Sequence, residues 1–297
     1  MKKVLITGAN GLLGQKLVSL LGSNQSCVLL ATARGEARFS VPENINYSTL
    51  DITDSQDCFT LVNEFSPDAI IHAAAMTQVD ACETERDLCD AINIEGTRNL
   101  IHAIGNRSIH FVHLSTDFIY QGDEEEYFED SRVKPLSYYG ASKWKSEQLF
   151  EKVTFPYSIL RTVLVYGVLE DLSRSNIVLW AKGALEKNQS INVVDDQYRC
   201  PTLVEDLALA CWQVVDENAR GVFHVSGKEF LSILDLVYKI ADFWNLDKRL
   251  IIPIKTTSLN QAATRPAKTN LNISKAIKQF NYQPKSFSEG LTLVDEQ

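Results

Sequence analysis

The sequence predicts an α/β chain built on a doubly wound parallel sheet, with a smaller α/β unit interleaved toward its C-terminal end. Three observations lead there. Short, nearly continuous apolar runs recur along the first half, as in strands buried on both faces. Amphipathic stretches of helical length separate them, which is the signature of βαβ units. A glycine triplet lies between the first run and the first helix.

In order, VLITG (4–8) is a β-branched run closed by glycine, and LLGQKLVSLL (12–21) follows with helical periodicity. CVLLATA (27–33) is the second strand, and a third ends just before Asp51-Ile52. SQDCFTLVNEF (55–65), AIIHAA (69–74), CETERDLCDAINIEGTRNLIHAI (82–104), HFVHLST (110–116), SYYGASKWKSEQLFEKV (137–153) and YSILRTV (157–163) continue the alternation. Beyond about residue 166 it loosens. Helical stretches near 174–187, 203–216 and 232–244 alternate with INVV (191–194), GVFHVS (221–226) and LIIPI (250–254), and 255–270 shows no clear period. The acidic run GDEEEYFED (122–130) reads as a solvated loop.

Composition excludes some classes. A net charge of −9 argues against a nucleic-acid or anionic-membrane partner, both of which want clustered Lys and Arg. Six cysteines show no Cys-x-x-Cys pair and read as small buried hydrophobes in a reducing compartment. Met1-Lys2-Lys3 precedes too short an apolar run for a signal peptide, and no run approaches the roughly 18 residues of a membrane span. The expectation is a cytoplasmic protein. No His-Glu or His-x-x-x-His cluster occurs, so no protein-built metal site is expected.

ITGANGLLG (6–14) spaces Gly8, Gly11 and Gly14 at three-residue intervals, directly after a strand and directly before a helix. Such a turn, with Asn10, Leu12 and Leu13 filling it, lets a pyrophosphate approach the backbone and meet the helix N-terminus. This predicts a dinucleotide site in a Rossmann-like domain. At the end of the second strand an acidic residue would suit NAD, and an arginine the 2′-phosphate of NADP. Arg34 stands there, 20 residues after Gly14, with Arg38 nearby. NADPH is therefore predicted, with NADH as the second option. Asp51 and Ile52 follow the third strand, where a carboxylate can accept from the adenine amino group. Ala73, Ala74 and Ala75 end the fourth strand and leave room for the cofactor backbone. Residues 1–166 form this NAD(P)-binding part, with a returning segment near 191–225, and 167–297 are mainly substrate-binding.

Tyr139 and Lys143 are four apart, on one face of a helix, while Tyr138 misses the lysine. A cationic amine beside a phenol favours the phenolate and lowers a pKa that is ordinarily near 10. Such a tyrosine can give a proton to a carbonyl oxygen during reduction. Ser115 and Thr116, at the end of the fifth strand, are hydroxyl donors in range of the same place.

TGANGLLG, STDFIY and YYGASK together resemble an extended short-chain dehydrogenase/reductase. More narrowly, IIHAAAMTQVDACE (70–83), STDFIYQG (115–122), ILRTVLVYG (159–167), VVDDQYRCPT (193–202) and ATRPAKTNLN (263–272) resemble dTDP-4-dehydrorhamnose reductases. The resemblance implies NAD(P)H-dependent reduction of the C4 keto group of a nucleotide-linked 4-keto-6-deoxysugar. In it Tyr139 is the proton donor, Lys143 holds the nicotinamide ribose, and Thr116 hydrogen-bonds the carbonyl oxygen. Asp117 approaches the sugar, and Thr77 and Val79 fall on the substrate side. Arg265 suits bidentate contact with the nucleotide phosphates. Some members of the family bind a divalent ion at a dimer contact; nothing in this sequence marks such a site, though a homodimer is allowed.

Two departures stand out. Val163-Leu164 lie where the family often has a tryptophan, and Arg199 where it often has glycine; both put the sugar in doubt more than the reaction. A 4-epimerase needs tightly held NAD, which Arg34 disfavours. A 4,6-dehydratase uses an Asp-Glu pair, whereas Phe118 follows Asp117 here. A non-catalytic subunit like that of methionine adenosyltransferase keeps the same motifs and stays open as an alternative.

Overall fold

The computed structural model describes residues 1–24, 26–170 and 175–297. The first half alternates as its apolar runs dictate: β1 (Lys2–Thr7), α1 (Leu12–Gly22), β2 (Cys27–Ala33), β3 (Asn46–Thr49), α2 (Ser55–Phe65) and β4 (Ala69–His72). Then come α3 (Val79–Thr84), α4 (Arg86–Asp90), α5 (Gly96–Ile104), β5 (His110–Thr116), α6 (Tyr138–Gln148) and β6 (Tyr157–Thr162). The single helix expected over 82–104 is broken in two places. Glu85 leaves the helical region, and residues Ala91–Glu95 form a π-turn, a feature often found beside functional sites.

Beyond β7 (Val165–Tyr166) lie α7 (Ile177–Glu186), β8 (Ile191–Val194), β9 (Tyr198–Arg199), β10 (Thr202–Leu203), α8 (Val204–Asp216) and β11 (Gly221–His224). Residue 174, where the sequence places the start of α7, lies outside the described residues. The chain ends with β12 (Leu231–Ser232), α9 (Ile233–Phe243), β13 (Ile251–Ile254), β14 (Lys268–Thr269), α10 (Ser274–Phe280) and α11 (Phe287–Asp295).

Seven strands form one sheet in the order β11-β6-β5-β4-β1-β2-β3, and every neighbouring pair is parallel. Its faces bury two apolar layers, one gathering Val4, Ile6, Leu17, Val112 and Phe223 beneath α1 and α8, the other Leu5, Ile70, Leu100 and Phe111 beneath α2 and α5. A third layer packs α7, α9 and α11 with β8 and β13 around Val193, Leu236 and Ile240. Within 204–224, α8 packs on α1 and β11 joins the sheet beside β6. β8, which the sequence reading grouped with them, pairs instead with β13, because Ile191 and Val193 need the apolar faces of α7 and α9. Among the described residues no helix is long and apolar enough to cross a membrane.

The acidic run is more built than a solvated loop. Glu124, Glu125 and Glu126 are exposed, but Tyr127 is buried and stacks on Tyr120 with ring centroids 4.3 Å apart. The Tyr127 hydroxyl accepts from the backbone N–H groups of Gly122, Asp123 and Glu124.

Candidate active site

The glycine turn sits at the C-terminal end of β1, where a doubly wound sheet offers a crevice. Gly8 adopts φ +78°, and a Cβ there would lie 2.6 Å from the Ala74 nitrogen. A Cβ on Gly14 would lie 2.2 Å from the Gly8 carbonyl oxygen, so α1 meets the turn at a distance only glycine allows. α2 and α6 have side-chain N-caps, Asp54 and Ser137. α1 has Gly11 as N-cap and no side-chain cap. Its first N–H groups thus face the crevice unclaimed by any capping side chain, which suits a pyrophosphate.

Two cavities meet across this turn. One, of about 320 Å³, is lined by Gly8, Asn10, Gly11, Arg34, Arg38, Asp51, Ile52 and Ala73–Ala75 among others. The other, of about 520 Å³, shares Gly8, Gly11, Ala73 and Ala75 and adds Leu12, Leu13, Gly14, Thr77, Val79, Thr116, Asp117, Tyr139, Lys143 and Arg265. Every residue assigned to catalysis, cofactor or substrate in the sequence therefore lines one or both. The pair of chambers, joined at the glycine turn, fits an extended dinucleotide.

In the first chamber Asn10 acts as a strap. Its amide donates to the Glu36 carbonyl oxygen at 2.9 Å, and its side-chain oxygen accepts from the Arg38 N–H at 2.9 Å, tying the arginine-bearing loop to the glycine turn. The Asp51 carboxyl lies below its ordinary range. Burial pushes it up, but the Thr53 hydroxyl and N–H, donating at 2.7 and 2.9 Å, and the Arg34 cation outweigh that.

In the second chamber α6 separates the two tyrosines. The Tyr138 hydroxyl donates to Asp90 at 2.9 Å, under Arg86 and Lys145. Tyr139 turns inward, edge-on to Phe118, and lines the chamber together with Thr116. Burial raises the Tyr139 pKa well above 10, against the lowering expected from the lysine; Thr116 pulls it down and the Asp117 charge pushes it further up. The phenol is thus held in its proton-bearing form. Lys143 is buried and pulled down to about 8 by loss of water, with Glu147 pushing back.

Asp117 is 1% exposed, and its oxygens are already engaged: Oδ1 accepts from Thr116 at 3.2 Å, and Oδ2 accepts from Thr269 at 2.6 Å with the Arg199 Nε 3.7 Å away. Arg265 lines the cavity but pairs with Asp80, Nη2 to Oδ2 2.6 Å, which fixes the 263–267 loop to α3. Of the departing pair Val163-Leu164, Val163 is packed in a buried cluster, whereas Leu164 lines the chamber with φ +43°, a strained conformation for a bulky residue. Among the described residues no group of three or more His, Cys, Asp or Glu could hold a metal ion.

Three supporting residues escaped the sequence reading. His113 lies with Nε2 3.3 Å from the Lys143 Nζ. Strand alternation was the available signal: His113 and Ser115 share the face of β5 that meets Lys143, Ser146 and Glu147 of α6. Asn93, in the π-turn, donates to the Met76 carbonyl oxygen and to Ser142, and accepts from the Met76 N–H, joining the alanine run to α6. Gln197 lines the second chamber and had no signal beyond its place in the DDQ segment.

The family described as RmlD substrate binding domain matches residues 1–297. A dTDP-4-dehydrorhamnose reductase of Aggregatibacter actinomycetemcomitans is 31% identical, the match covering 98% of this chain and 97% of that one. Methionine adenosyltransferase 2 subunit beta of Rattus norvegicus is 30% identical over 92% of this chain and 81% of its own. Among solved structures, the dTDP-4-dehydrorhamnose reductase of Bacillus anthracis in complex with NADP superposes with a TM-score of 0.84 at 31% identity, covering 99% of each chain.

Proposed function

The chain belongs to the RmlD substrate binding domain family and is an NAD(P)H-dependent oxidoreductase, and on that premise we propose that it reduces the C4 keto group of a nucleotide-linked 4-keto-6-deoxysugar. NADPH, with NADH as the second option, supplies the hydride when bound. The observation that carries this reading is the convergence of Thr116, Tyr139 and Lys143 in the chamber that adjoins the glycine turn. Tyr139 gives the proton from its Oη to the carbonyl oxygen as the alkoxide develops. Thr116 donates its hydroxyl hydrogen to the same carbonyl oxygen. The Lys143 ammonium sits where it meets ribose hydroxyls and stabilises the phenolate left on Tyr139. Arg34 and Arg38 provide cations for a 2′-phosphate, and Asp51 an acceptor for the adenine amino group. Apolar side chains of Leu164, Leu169, Ile177 and Ile233 line the chamber, a surface matched to a deoxygenated C6.

The test is NADPH oxidation with a dTDP-4-keto-6-deoxysugar made in situ. Tyr139→Phe should lower kcat by about 10²–10⁴ while leaving NADPH affinity unchanged. A native protein that binds NADPH but turns over no 4-keto sugar would reject the reading. The relatives named as a methionine adenosyltransferase subunit favour a second reading, a cofactor-binding regulatory subunit. That reading predicts a stable complex with a partner enzyme and no NADPH turnover.

A further inference from the structure

The residues common to both chambers are Gly8, Gly11, Ala73, Ala75 and Leu169. The glycines and alanines belong to the turn after β1 and the run after β4. Leu169 comes from the other half of the chain, in the segment that follows β7, and is 6% exposed. It therefore borders the throat between the chambers, which a dinucleotide filling both must cross.

The segment that carries Leu169 is tied down at both ends. At the near end Gly167 adopts φ +153°, and a Cβ there would lie 2.3 Å from Val204 Cγ1 on α8. The Gly167 carbonyl oxygen accepts from Nδ2 of Asn176, the N-cap of α7, at 2.7 Å, and Val168 packs on the apolar layer of α7 and α9. At the far end the Glu170 N–H donates to Gln15 Oε1 on α1 at 3.0 Å, and Glu170 Oε2 accepts from the Ser40 N–H at 2.8 Å. Both partners are fixed. Gln15 is buried, and Ser40 stands between Phe39 and Val41, which pack on the apolar layer beneath α1. Ser40 also lies on the loop that carries Arg34 and Arg38 and that Asn10 straps to the glycine turn. Neither Glu170 nor Gln15 nor Ser40 lines a chamber.

We propose that Glu170 latches residues 167–170 across the throat, so that the dinucleotide enters and leaves only when the Glu170–Ser40 contact opens and Leu169 swings aside. The inference rests on the dinucleotide reading of the two chambers and does not depend on the sugar. Packing and a glycine hold the near end, whereas hydrogen bonds to one exposed residue hold the far end, so the far end is the one that opens. The latch binds protein on both sides and touches no chamber. Breaking it removes no contact with the cofactor. It lowers the barrier to opening, and entry and exit share that barrier. Both rates should therefore rise together and leave the affinity where it was. A residue that held the cofactor directly, or one that merely supported the fold, would change the affinity instead.

The experiment follows NADPH fluorescence in the full-length protein. Stopped-flow mixing gives the association rate constant, displacement by excess NADP⁺ gives the dissociation rate constant, and equilibrium titration gives the Kd. Glu170→Ala should raise both rate constants by roughly three- to tenfold, the worth of one exposed hydrogen bond, with the Kd at its native value. Glu170→Gln keeps an oxygen able to accept from Ser40 and should fall between native and Ala. Unchanged rates in Glu170→Ala overturn the proposal. Faster release alone, with a weaker Kd, overturns it too, since Glu170 would then serve affinity rather than passage. So does faster association alone, with a tighter Kd, since the carboxylate would then act only by repelling an anionic cofactor. A Gln variant no closer to native than Ala also overturns it, because no acceptor would be at work. Failure of the dinucleotide reading shows separately, as a native protein that binds no NADPH.

Discussion

Replacing Lys143 by Met should make the cofactor-free protein more stable while removing its activity. The ammonium is buried, and its pKa falls from 10.5 to about 8 because it has lost water. An unfolded lysine titrates near 10.5. Between about 8 and 10.5 the unfolded chain therefore binds more protons than the folded one, so stability rises with pH across that window and the full penalty is present below it. The gap between 10.5 and about 8, at about 1.4 kcal/mol per tenfold change in proton affinity, amounts to roughly 3 kcal/mol. Met fills a similar volume without a charge. Urea unfolding at pH 7 should show Lys143→Met more stable than native by about 2–3 kcal/mol. The advantage should shrink above pH 8 and vanish near pH 10.5. A variant equal to or weaker than native at pH 7, or a gap that ignores pH, would refute the claim that burial strains this lysine. NADPH affinity should fall in the same variant, showing what the strain is for.

Further outcomes follow from the same contacts. Gly14→Ala sets a Cβ against the backbone of Gly8 and Ala9, neither of which can move as a side chain would. It should cost about 1–3 kcal/mol in urea unfolding and weaken NADPH binding in fluorescence titration. Arg34→Ala should weaken NADPH by about ten- to a hundredfold, the worth of one charged hydrogen bond, and leave NADH affinity unchanged; equal losses for both would remove Arg34 from the 2′-phosphate. Glu147 and Arg161 form a buried pair with Nη2–Oε2 2.7 Å and Nε–Oε1 3.1 Å. Glu147→Ala should cost about 3–5 kcal/mol, whereas the double change of both residues to Met should recover most of it, because the Arg161 guanidinium is then not left buried without its partner.

Much of this was legible because local sequence and global position agree. The glycine turn, the alanine run and the Tyr139–Lys143 spacing each sit at a strand end or on one helix face, where a strand or helix period is enough to place them. What stayed hidden depends on contacts between distant segments. Nothing local ties Asp117 to Thr269 or Arg199, or Arg265 to Asp80, because those pairs form only when the loops after β9 and before β14 fold back on the sheet. β8 misled for a related reason: INVV has the composition of a central strand, and only its partner β13 says which unit it belongs to. The π-turn was invisible since α4 and α5 share one unbroken helical pattern, and the local unwinding serves Asn93 rather than any propensity.

The strand that completes the sheet arrives late in the chain. β11 is parallel to β6, with Val222 opposite Ile159, yet 63 residues separate that pair in sequence. During synthesis at roughly 5–20 residues per second, β6 waits on the order of 3–13 seconds as an open edge, its N–H and C=O groups unpaired on that side. That strand, YSILRT, carries the apolar pair Ile159-Leu160 and no charge but Arg161. Unpaired edges of that kind template association with other chains. This protein should therefore be most vulnerable to aggregation while it is being made, and a chaperone that shields β6 should raise its yield more than any substitution in the finished core.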